Sequence, residues 1–128
     1  MLVATKGQLM AWQAQIQFMC ETIILSKNAA ATISQCMECQ KLSLWMRSLL
    51  LNFSPEQFRS FKNFTAKLEV EQSLFPFPDG EERLVLRTPH SDICMVFSLD
   101  EWEQFQQAME EAEYMMQVYE LMGKTDSL

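Results

Sequence analysis

Short strand-like runs fill the first half of the chain. Thr22-Ile23-Ile24-Leu25 and Ala31-Thr32-Ile33-Ser34-Gln35-Cys36 flank a polar Ser26-Lys27-Asn28 break. This predicts strand, turn, strand. Folding the hairpin about residues 27–30 sets Leu25 opposite Thr32, Ile23 opposite Ser34 and Glu21 opposite Cys36. Residues 41–46 (KLSLWM) alternate with period two, Arg47-Ser48 makes a tight turn, and residues 49–53 (LLLNF) return. Ser54-Pro55-Glu56-Gln57 then opens a helix, with Ser as N-cap, Pro at the first helical position and Gln closing a capping box. Phe58, Phe61 and Leu68 share its inner face, Phe64 lies on the flank, and the helix is predicted to end near Glu71.

The second half repeats this plan. Residues 72–80 (QSLFPFPDG) read as a connection ending in an Asp-Gly turn. Residues 82–88 predict a strand, 89–92 a turn, and 93–97 (ICMVF) a buried strand. Ser98 and Glu101 form a second capping box. In the helix that follows, about 99–122, Trp102, Phe105, Met109, Ala112, Met116 and Tyr119 step by three and four, a single apolar stripe. Gly123 is its predicted stop. Residues 53–61 (FSPEQFRSF) align with 97–105 (FSLDEWEQF) at an offset of 44.

These elements predict an α+β fold of two ββα-like units, about 20–71 and 81–123, the first with an extra N-terminal hairpin. The expected architecture is an antiparallel sheet with helices on one face and a long C-terminal helix. Residues 19–123 form the domain and 124–128 a tail. Residues 8–19 carry a weak apolar stripe (Leu9, Trp12, Ile16, Met19). Residues 1–18 read as an extension before a natural start at Met19, or as a docking helix.

A length of 128 residues holds one domain, and 48% hydrophobic residues suffice for a core. The net charge of −7 divides unevenly, +4 over residues 1–67 and −11 over 68–128. That balance argues against nucleic acid as a partner. It leaves open whether the acidic half faces solvent, the basic half or a basic partner. No apolar run reaches the roughly 18 residues of a membrane span, and no signal peptide is evident, so a cytoplasmic protein away from membranes is expected.

Cys36-Met37-Glu38-Cys39 lies between two strands, the setting in which zinc knuckles present two thiolates to one ion. Tetrahedral coordination needs two more ligands. Cys20 follows from the hairpin register, and Cys94 or His90 is the candidate fourth. A redox pair at Cys36 and Cys39 is the alternative, although such pairs normally sit at a helix N-terminus. Met115, Met116, Tyr119 and Met122 crowd the end of the last helix, a stretch without basic residues, and predict a homodimer or protein-partner interface. No catalytic constellation is readable.

The run from Met19-Cys20 through Ile33-Ser34-Gln35-Cys36-Met37-Glu38-Cys39 to Leu51-Asn52-Phe53-Ser54-Pro55-Glu56 resembles a family of small bacterial proteins of unknown function, typical of Bacteroidota. Its members begin with Met-Cys and carry I-x-x-C-x-x-C before a Ser/Thr-capped helix. The resemblance implies the fold and a cytoplasmic setting, and no activity.

Overall fold

The computed structural model describes residues 21–88 and 92–126. Residues 1–20, including Cys20 and the stripe at Leu9, Trp12 and Ile16, lie outside the described residues, as does His90.

The first four strands are β1 (Thr22–Lys27), β2 (Thr32–Cys36), β3 (Leu42–Met46) and β4 (Leu49–Phe53), joined in chain order as one antiparallel sheet. Helix α1 (Pro55–Ala66) follows. Next come β5 (Leu74–Pro76), β6 (Glu82–Arg87) and β7 (Cys94–Phe97), a second antiparallel sheet. Helix α2 (Leu99–Asp126) is the last described element. The α+β class and the ββα order in each half follow the residue pattern. The strands divide between two hydrogen-bonded sheets rather than forming one.

The β1–β2 register is shifted from the expectation by one residue before a bulge and by two beyond it. Thr22 pairs with Cys36, Ile23 with Gln35 and Ile24 with Ser34, and beyond a bulge Lys27 pairs with Thr32. Asn28 sets the turn. Its Oδ1 accepts from the N–H groups of Ala30 and Ala31 at 2.9 and 3.0 Å, and its own N–H donates to Ala31 O at 2.9 Å. The bulge turns two consecutive residues, Leu25 and Ser26, inward. A bulge supplies that extra inward residue where strict alternation would not. Ser26 Oγ donates to Ala108 O at 2.8 Å, and Asn28 Nδ2 to Gln104 O at 2.7 Å, fastening β1 to α2.

Both capping boxes form. Gln57 N–H donates to Ser54 Oγ and Ser54 N–H to Gln57 Oε1; Glu101 N–H donates to Ser98 Oγ and Ser98 N–H to Glu101 Oε1. Each strand-ending Phe meets the two aromatics of the next helix. Phe53 lies 6.1 Å from Phe58 and 5.1 Å from Phe61; Phe97 lies 5.1 Å from Trp102 and 4.9 Å from Phe105, centroid to centroid. Phe61 and Phe105, 6.3 Å apart, join the halves.

Three boundaries differ from the sequence reading. Helix α1 ends at Ala66 rather than near Glu71. The buried Thr65 turns its hydroxyl to Lys62 O at 2.8 Å, and its carbonyl accepts from Leu68 N–H and Gln106 Nε2. Those bonds close the last turn instead of extending it. Residues 74–76, expected to be connection, form edge strand β5, which tolerates Pro76. Helix α2 passes through Gly123 to Asp126, beyond the predicted stop. A Gly ends a helix only when it turns left-handed, and among the described residues Gly80 is the glycine with positive φ, +87°. There Asp79-Gly80 makes the expected turn. Arg83, hydrogen-bonded to Asp79 at 2.8 Å, holds the Asp79 carboxyl below the usual aspartate range, helped by the Glu81 N–H.

One core lies between the sheets and helices. Ile33, Leu42 and Leu44 of the first sheet and Leu84 and Leu86 of the second are buried against Phe58, Phe105 and Met109. The predicted α2 stripe is its centre, with Phe105, Met109 and Ala112 fully buried. Strand β7 is buried on one face only. Met95 and Phe97 point in, while Cys94 and Val96 are exposed, as is the preceding Ile93.

Candidate site at the Cys36–Cys39 turn

Strands β2 and β3 are joined by a turn that holds both cysteines. Cys36 ends β2 and is buried, whereas Cys39 is exposed. Cys39 N–H donates to Cys36 Sγ at 3.3 Å, and Gln40 N–H to Cys36 O at 3.0 Å. Gln40 is left-handed, φ +67°. An L residue there costs roughly 1–2 kcal/mol relative to the ordinary helical region. Its position is the one after C-x-x-C, where a Gly would meet no such cost.

Side-chain amides brace the turn. Gln35 is buried, and its Nε2 donates to Gln40 O at 3.1 Å and Gln40 Oε1 at 3.2 Å. Gln40 Nε2 donates to Met37 O at 2.9 Å. Met37 N–H in turn donates to Glu21 O at 2.7 Å. Glu21, immediately before β1, therefore lies beside the cysteine turn.

Of the other proposed ligands, Cys94 is the described one, and it lies elsewhere. Cys20 and His90 lie outside the described residues. Cys94 shares a cleft of about 280 Å³ with Arg47 and Ser48 of the β3–β4 turn. That turn and the Cys36–Cys39 turn cap opposite ends of β3, a strand roughly 17 Å long. Among the described residues no three His, Cys, Asp or Glu side chains converge as a metal-binding group, and no disulfide links two cysteines.

A groove of about 540 Å³ runs from this turn to the far end of α2. Gln35, Met37 and Gln40 line one wall, Pro55 and Arg59 of α1 another, and Met116, Tyr119 and Glu120 the third. The four interface candidates separate here. Met116 is 4% exposed and belongs to the core, Met115 and Tyr119 are half-buried against it, and Met122 is 53% exposed. Tyr114, absent from the sequence reading, is exposed alongside, as is Leu121. Their places fall off the three-four stripe, which marks the inner face and is silent about the outer one.

The uneven charge is partly resolved within the fold. Arg47 pairs with Glu101, Arg59 with Glu120 at 3.9 Å, and Lys62 with Glu113 at 3.5 Å, each joining the basic half to the acidic one. Asp100, Glu103, Glu110 and Glu111 remain exposed on α2. Among the described residues no helix is long and apolar enough to cross a membrane.

Together these features define an α+β protein of two antiparallel sheets and two helices with a cysteine-bearing β-turn. The chain belongs to the family of unknown function DUF6686, whose family model matches residues 19–125. No curated protein and no solved structure matches it.

Proposed function

We propose that this chain is a non-enzymatic cytoplasmic module acting through protein contacts, with one structural zinc ion at the Cys36–Cys39 hairpin. The observation carrying the metal reading is the Cys39 N–H donated to Cys36 Sγ in a turn closed by a left-handed residue. It supports two thiolates preorganised for one cation at Zn–S distances of about 2.3 Å. Cys20 is the third ligand. It is bonded to Glu21, whose carbonyl oxygen accepts from Met37 within the turn. Cys94, in the cleft at the other end of β3, is not counted among the ligands. The exposed Tyr114, Leu121 and Met122 support contact of α2 with a protein partner or a second copy. The matching capping boxes and aromatic trios support a repeated ββα unit.

Elemental analysis and thiol titration on protein purified without chelator test the metal. One zinc per chain is expected, lost in Cys39→Ser, whose exposed position leaves the circular dichroism spectrum unchanged. A folded, metal-free chain with every thiol reactive overturns the reading. So does a reversible Cys36–Cys39 disulfide with insulin-reductase activity, which would make the chain a thiol oxidoreductase.

A further inference from the structure

Gln35 and Gln40 link the wall of the sheet to the tip of the cysteine turn. Gln35 is only 5% exposed, and its amide nitrogen donates to Gln40 twice, to the backbone oxygen and to the side-chain oxygen. Gln40 passes the contact on by donating its own amide to Met37 O. Three bonds thus meet at left-handed Gln40, the residue next to Cys39, whose N–H donates to Cys36 Sγ. Neutral amides suit this place. A carboxylate would repel two thiolates, and an ammonium would compete with a cation.

We propose that Gln35 and Gln40 act as a positioning clasp that holds Cys36 and Cys39 in register for a thiophilic divalent cation. The proposal rests on the metal reading above and adds to it the residues that set affinity. Groups that orient metal ligands without touching the metal typically change affinity 10- to 100-fold when removed. Left-handed Gln40 is then a position where the side chain replaces what a Gly would do by conformational freedom.

The test uses the full chain, Zn²⁺ competition against a chromophoric chelator, and the thiolate-to-metal absorption of the Co²⁺ form. Gln35→Leu is expected to weaken Zn²⁺ about tenfold and dim the Co²⁺ band. Adding Gln40→Gly to that variant is expected to restore most of the affinity, because Gly holds the turn unaided. Gln40 is exposed, so Gln40→Ala and Gln40→Gly give a comparison in which folding is not at risk. Ala is expected to bind weakly and Gly near wild type. Wild-type affinity in Gln35→Leu or Gln40→Ala, or a Gly variant as weak as the Ala one, overturns the clasp. A wild-type chain that binds no Zn²⁺ overturns the parent reading as well, so the two failures are told apart.

Discussion

Truncating Phe105 tests whether one ring joins the two halves. Its side chain is fully buried on α2, with ring centroids of Phe97, Trp102 and Phe61 at 4.9, 5.5 and 6.3 Å. Phe97 and Trp102 belong to its own unit and Phe61 to the other. Phe105→Ala removes these contacts and leaves a cavity between both helices and the second sheet. Core Phe→Ala changes cost about 3–5 kcal/mol. The whole domain is worth about 5–15 kcal/mol, so the variant should lose a third or more of a mid-range stability. Urea unfolding followed by far-ultraviolet circular dichroism measures it. Phe64→Ala is the control, since Phe64 is 51% exposed and surface changes stay within about 0.5 kcal/mol. A Phe61/Phe105 double-mutant cycle should show coupling of at least about 0.5 kcal/mol. A cost below about 1.5 kcal/mol for Phe105→Ala, or zero coupling, would refute the reasoning.

Two further outcomes are expected. Met122→Glu should leave stability unchanged and abolish any self-association seen by sedimentation, whereas Met116→Glu should unfold the chain by burying a carboxylate. If Met122→Glu leaves a concentration-dependent dimer intact, the end of α2 is not the interface. Ser54→Ala and Ser98→Ala should each cost about 1 kcal/mol in chemical denaturation. Their effects should add, because the caps lie on different helices; a sum far from additive would show that the caps report on each other.

Local chemistry made much of this fold readable. Ser54-Pro55 and Ser98 announce both helix starts because capping is decided within four residues. The α2 stripe is readable because its spacing maps directly onto one buried face. What escaped depends on distant partners. The bulge at Leu25 exists so that Ser26 can reach Ala108, and nothing near residue 25 in the chain signals a carbonyl on the last helix. Thr65 ends α1 with help from Gln106, again from afar. Residues 74–76 read as loop because Pro76 masks a strand whose pairing comes only from β6. At the site, the C-x-x-C spacing was visible, but the amide brace was not. A Gln is an unremarkable surface residue in sequence, and only burial reveals that Gln35 has a task.

The bond from Ser26 to Ala108 spans 82 positions and ties the first strand to the last helix. Its consequence concerns synthesis. All seven described strands leave the ribosome before the 28-residue helix that covers them. At 5–20 residues per second that helix takes roughly 1–6 s to make. During this interval Ile33, Leu42, Leu84 and Leu86 have no helical cover from α2, and the nascent chain is at its most open to chaperones and to aggregation. Premature termination within α2 should therefore be far more damaging than its distance from the cysteines suggests.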